Sequence, residues 1–196
     1  MIEPKDTANT GNAEMESGYK NKFEQLAKLG VADFKHLNGN LIDHLKGTQE
    51  LLASWSASQN LQDAGLYHAA YGTAGLDEKM VSTDQRSKIA EIIGIEAEEI
   101  VYQYCACDRD YFWPQLGLVD DPNFHNRFND QTYQLSSCLL KNFCELTVAN
   151  ELEIAMNSPE FIAEHGHGLR KLFNNMGPLL SVYANKAVAA VLGQCK

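Results

Sequence analysis

His36, His44 and His68 place half of the chain's six histidines in one helix-like stretch near the start of its apolar part. Neutral imidazoles are common ligands of divalent metals, and a pair carried by consecutive helices can meet at one ion. Two imidazoles alone hold such an ion poorly; three ligands and an open position are the usual catalytic minimum. His36 is the natural third. It precedes His44 by eight residues. That is about 12 Å of rise in an unbroken helix, so co-ligation requires the Asn38-Gly39 break to fold His36 back. Asp108 is the reserve ligand. Either set suits one Fe(II), Mn(II) or Zn(II) ion. Manganese or zinc points to hydrolysis through a metal-activated water, and iron to oxygen chemistry. The histidines also have plainer roles open to them: His36 bonded to backbone, His44 paired with Asp43 or a carbonyl, His68 buried against tyrosines.

Further side chains of the right type lie downstream. Asp108-Arg109-Asp110 adjoins a run of aromatic residues, and Asp108 could serve as ligand or base. Arg109 could present its fork to a phosphate or carboxylate, or form a surface ion pair. His125 is a further candidate for acid–base work. Tyr67 and Tyr71, one helical turn apart, and Tyr111 and Trp113 are candidate pocket walls, with core stacking as the alternative for the first two. His165-Gly-His167 resembles a short metal-binding run and equally an exposed helix bend. In Cys105-Ala-Cys107 only one thiol can share a helix's apolar stripe, so core filling is expected rather than redox work.

These residues must be positioned by helices. Residues 19–29 are apolar at helical spacing. Leu41, Ile42, Leu45, Thr48, Leu51, Leu52 and Trp55 give 40–55 a broad apolar stripe. Residues 61–71 are rich in small side chains (Ala64, Gly65, Ala69, Ala70), which predicts close packing at the centre of a bundle. Ser82 or Thr83 caps the next helix. Gly94 interrupts it, and a further helix runs over 96–107. Residues 108–130 read as a long aromatic and polar connection that walls or covers a pocket. Helix returns over 132–156, and Ser158-Pro159 has the cap-then-proline order of a helix start. The last helical stretch spans 173–192, restarted at Pro178. Strand-like alternation is almost absent. The expected fold is all-α, with a tail over 1–18 and one helical domain over 19–196.

Composition bounds the partners. The chain has 196 residues, 26 acidic and 16 basic, for a formal charge of −10. That balance disfavours a nucleic-acid polymer and an anionic membrane surface. It leaves room for a small polar or anionic metabolite, because one ion or arginine reverses a local field. Five cysteines without framework spacing read as reduced thiols of a cytoplasmic protein. No segment reads as a signal peptide or a membrane span. The final amphipathic helix offers a surface for a homodimer.

The residues His36-Leu37, Asp43-His44-Leu45, Gly47-Thr48, Ala64-Gly65-Leu66-Tyr67-His68 and Tyr71-Gly72-Thr73 resemble a small HD-domain-like family. More distantly they are similar to the hydrolase domain of guanosine tetraphosphate hydrolases. Arg86 to Gly94 and Leu146 to Glu153 resemble later helices of that domain, so the likeness covers roughly residues 36–155. The resemblance implies an HD-like helical bundle and a metal-dependent phosphohydrolase. Carried over position by position, the first two ligands fall on His44 and His68. The third, an aspartate in the family, falls on Ala69, and the fourth falls on Asn150. The acidic pair that handles the attacking water falls on Gly72-Thr73. The expected function is a divalent-metal-dependent hydrolase acting on a phosphorylated or nucleotide-like metabolite. An Fe(II)- and oxygen-dependent relative is one alternative. A non-catalytic metabolite-binding or protein-interaction module is another.

Overall fold

The computed structural model describes residues 39–74 and 79–195, together with Lys22, Glu24 and Gln25. The expected tail over 1–18, most of the 19–29 helix, and His36 lie outside the described residues. Within them the chain is mainly helical: α1 (Gly39–Ser54), α2 (Gln59–Tyr67), α3 (Arg86–Ile93), α4 (Ile95–Ala106), a single turn α5 (Arg109–Phe112), α6 (Ser137–Asn157), α7 (Pro159–Met176) and α8 (Val182–Leu192). Short 3-10 turns precede α3, follow α5 and precede α8.

α6 is the central element. Twelve of its residues from Leu140 to Ala155 are buried, and it packs against α1, α2, α4, α7 and α8. The stripe of α1 supplies Leu45 and Leu52, both buried, to the same core. α1 and α2 cross closely because Gly65 has no side chain: a Cβ there would lie 2.7 Å from Leu52 Cδ1. The small-residue face of the 61–71 segment therefore does what its composition predicts.

Helix limits follow local chemistry. Ser58, Ser136, Ser158 and Ser181 cap α2, α6, α7 and α8 by accepting backbone N–H bonds. Pro159 opens α7 at the first turn, where a missing N–H costs nothing. Ser82 caps the 3-10 turn ahead of α3, and Gly94 separates α3 from α4.

The all-α expectation needs one amendment. Asn123–Asn126 and Gln131–Gln134 form an antiparallel two-stranded hairpin, in register Phe124 with Tyr133 and His125 with Thr132. The expected helix over 132–156 accordingly starts later, at Ser137. These strands escape a periodicity reading because each is four residues of Asn, His, Gln, Thr and aromatics, with none of the aliphatic alternation that marks a strand. The hairpin is tied to the end of α4 by a bridge between Cys107 and Asn126. Bonds from Arg127 N to Ala106 O (2.8 Å) and from Asp108 N to His125 O (3.1 Å) extend the tie. It fixes the direction in which Asp108 and Arg109 leave α4.

Candidate functional site

His44 enters the site from the second turn of α1, and His68 caps the C-terminal end of α2. Their rings meet edge to face, with centroids 5.1 Å apart and planes at 86°. His68 is buried and its Nδ1 lies 2.7 Å from the carbonyl of Gly65. A carbonyl only accepts, so Nδ1 carries the proton and Nε2 keeps a lone pair. Burial, and then the nearby His44, push the His68 imidazole down to about 3, so it is neutral at physiological pH. His44 is oriented in a similar way. Its Nδ1 pairs with a Glu153 carboxylate oxygen, and its Nε2 lies 3.0 Å from Asn150 Oδ1. The alternative pairing of His44 with Asp43 is not what the structure shows.

α6 supplies the third wall. Asn150 Nδ2 donates to Glu151 Oε1 at 3.0 Å, which turns Oδ1 toward the imidazoles, and Asn150 also acts on His68 as a hydrogen-bond partner. Two imidazole nitrogens and one amide oxygen thus converge from α1, α2 and α6. Both imidazoles are held through Nδ1 by an acceptor, a carboxylate for one and a backbone carbonyl for the other. That is the outer-shell arrangement that presents Nε2 to a metal. Among the described residues, no group of three or more His, Cys, Asp or Glu gathers as a metal site.

The space in front of these atoms is an open cavity of about 840 Å³. Arg109, Glu151, Asp108, Trp113 and Ala69 line it near the histidines. Arg109 is not a surface ion pair. Its side chain is 18% exposed; Nη1 lies 3.4 Å from Glu151 Oε1 and Nη2 donates to the Tyr104 hydroxyl at 3.2 Å. Its guanidinium lies 4.9 Å from the ring centre of Trp113, four residues on, so the turn of α5 presents both on one side. Burial raises the Glu151 carboxyl above the usual range, opposed by Arg109 and Asn150.

Other expected site residues are placed elsewhere. The Tyr67 hydroxyl donates to the Lys22 carbonyl, and the Tyr71 hydroxyl donates to Glu98 at 2.8 Å. Both tyrosines are fully buried in the core. Tyr111 is exposed and packs against His125. His125 does not line the cavity: its Nδ1 pairs with Asp108 Oδ2 and its Nε2 with Asp130 Oδ1, each at 3.0 Å. Cys105 and Cys107 are both buried, because the chain turns extended after Ala106 and carries Cys107 inward. Burial pushes the Cys105 thiol up to about 12, which leaves it unreactive. His165 lines the cavity from α7, and His167 does not.

The Asp108–His125–Asp130 cluster gives a testable titration. The two carboxylates raise the His125 imidazole above its usual value, and His125 in turn lowers Asp108. The stabilisation from His125 is therefore complete below its unfolded pKa and lost as pH rises through the raised folded value. That from Asp108 is present above its unfolded pKa and lost as pH falls through the lowered one. In an NMR titration of the imidazoles, Asp108→Asn should bring the His125 midpoint down. An unchanged midpoint would remove Asp108 as the cause.

His165 was a candidate as part of the His165-Gly-His167 run; Glu151 and Glu153 are the participants that spacing alone did not reveal. The signal was present for both: Asn150, Glu151 and Glu153 are polar interruptions in an otherwise apolar helical run, and buried polar groups mark sites. Among the described residues, no helix is long and apolar enough to cross a membrane. No curated protein and no solved structure matches the chain. Residues 25–109, less than half of it, match the model of a domain of unknown function (DUF6817), a match that takes in His44, His68 and Arg109 and stops short of α6.

Proposed function

We propose that the protein is a divalent-metal-dependent, HD-like small-molecule hydrolase acting on a phosphorylated metabolite. The observation that carries this reading is the convergence of His44 Nε2, His68 and Asn150 Oδ1 at the head of the cavity, with both imidazoles tethered through Nδ1. As it stands, His44 Nε2–H donates to Asn150 Oδ1, an oxygen that only accepts; a cation bound there would take the place of that proton and would be shared with His68, whose Nδ1–H is held by Gly65 O. One ion of Mn(II), Zn(II) or Fe(II) fits this donor set. Such an ion supplies a Lewis acid and, at neutral pH, a nucleophilic water.

The chain's own groups supply the rest. Arg109 offers its guanidinium to an anionic oxygen, and its loose 3.4 Å contact with Glu151 leaves the fork free to reorient. Glu151 takes the acid–base role that Gly72 and Thr73 cannot. Its Oε1 accepts from Asn150 and Arg109, so Oε2 is the oxygen on which a proton is gained and released. A carboxyl raised by burial suits that exchange. The reading places no weight on His36.

Ala69 and Asn150 leave no bridging carboxylate for a second ion. Titration of the purified protein with Mn(II), followed by the electron-spin signal of the free ion, should saturate near one equivalent. A two-equivalent endpoint would contradict the donor set, and no binding at all would favour the second reading. That reading is a metabolite-binding module without catalysis, and the neutrality of an imidazole, imidazole and amide set is what favours it. Turnover restricted to Fe(II) in air, and absent under nitrogen, would mark the oxygen-dependent alternative.

A further inference from the structure

The cavity lining is of two kinds. His44, His68, Asn150, Arg109 and Glu151 make part of it polar. On α7, Phe161, Gly168, Leu169 and Leu172 line the same space, as do Leu41 of α1 and Ile154 of α6. Positions 161, 165, 168, 169 and 172 form one helical stripe, so apart from His165 this rigid element gives the cavity an apolar strip.

The charge on the lining is just as uneven. Arg109 is its only Lys or Arg among the described residues, against the carboxylates of Asp108, Asp110 and Glu151. Arg109 is already shared with Glu151. A nucleoside polyphosphate would bring several negative charges toward three carboxylates and one partly committed cation.

We infer that this site takes a monoester with one compact phosphoryl head on an apolar aryl or alkyl body, the head between His44, His68 and Arg109 and the body along α7, and that it rejects nucleoside polyphosphates. The inference rests on the hydrolase reading for the chemistry of the head. The seat for the body stands on the α7 strip alone.

Gly168 allows the two to be tested apart. It lines the cavity, and a Cβ built there meets no heavy atom within 4 Å. A larger side chain can therefore enter the strip without displacing the core. The experiment is calorimetric binding of 1-naphthyl phosphate, inorganic phosphate and guanosine triphosphate to the full chain and to Gly168→Trp, each with and without Mn(II).

The parent should bind 1-naphthyl phosphate about tenfold or more tighter than either other probe, since burying the ring against α7 adds apolar contact. Gly168→Trp should abolish that advantage, leave inorganic phosphate binding within about twofold, and melt close to the parent. Tighter binding of the triphosphate, or a naphthyl advantage indifferent to Gly168→Trp, would overturn the inference. So would equal losses for naphthyl and inorganic phosphate, or no naphthyl binding. If the Gly168-dependent advantage appears while Mn(II) fails to bind, the seat stands and the hydrolase reading falls.

Discussion

Replacing His68 with alanine should lower Mn(II) affinity by more than about a hundredfold, beyond the loss typical of an outer-shell change. The expectation follows from how the imidazole is held. Its Nδ1–H is committed to Gly65 O, burial keeps the ring neutral, and the remaining lone pair faces the amide of Asn150. Alanine removes one of the two imidazole donors, and the position beside it on the cavity wall is Ala69, which offers none. Glu153→Gln is the graded companion. It keeps His44 in place but weakens the acceptor on its Nδ1, and should cost about ten- to a hundredfold in affinity. Both variants are read by the same Mn(II) titration. His68→Ala also leaves a small buried void and frees the Gly65 carbonyl, so a stability loss of about 2 kcal/mol is expected. A thermal melt separates that loss from unfolding. If His68→Ala binds Mn(II) as the parent does, the ion, if any, sits elsewhere.

The histidine pair was legible in the sequence because both of its carriers are strongly patterned helices. The stripe from Leu41 to Trp55 and the small-residue run around Gly65 fix which faces of α1 and α2 meet, and His44 and His68 follow from that contact. The third wall was less legible. Asn150 was found through its place in a family-like helix, whereas Glu151 and Glu153 depend on the rotation of α6 against α1 and α5, which no local pattern encodes. The segment from 108 to 130 was read as one aromatic and polar connection that walls or covers the pocket. The structure divides it instead. Phe112 and Phe124 stack in the core with Phe143, Tyr111 and His125 face outward, and only Asp108, Arg109, Asp110 and Trp113 reach the cavity. That division is made by the hairpin. Its strands are too short and too polar to announce themselves, and they are set by non-local bonds to Ala106, Asp108 and Gly72.

The second large effect is on stability and lies at Glu98. This carboxylate, in the first turn of α4, is 4% exposed. Arg86 grips both of its oxygens, Nε to Oε1 and Nη2 to Oε2, each at 2.7 Å, and the buried Tyr71 hydroxyl donates to Oε1 at 2.8 Å. Glu98→Ala leaves Tyr71 with a buried hydroxyl and no acceptor, and removes the better partner of Arg86. Breaking a buried pair costs about 3–5 kcal/mol. The Arg86 side chain is 34% exposed and keeps Glu99 at 2.7 Å, so solvent and the second carboxylate reduce the expected loss to about 2–3 kcal/mol. For a chain of this size that lowers Tm by about 4–12 °C. The double change Glu98→Leu with Arg86→Met should recover most of the loss, because an apolar pair needs no counter-charge, although Tyr71 still lacks its acceptor. Denaturant melts of Glu98→Ala and of the double variant measure the loss and the recovery. A Glu98→Ala protein within about 0.5 kcal/mol of the parent would place this cluster among surface charges, and the link it provides between the Tyr71 turn and α4 would then contribute nothing to holding His68 in place.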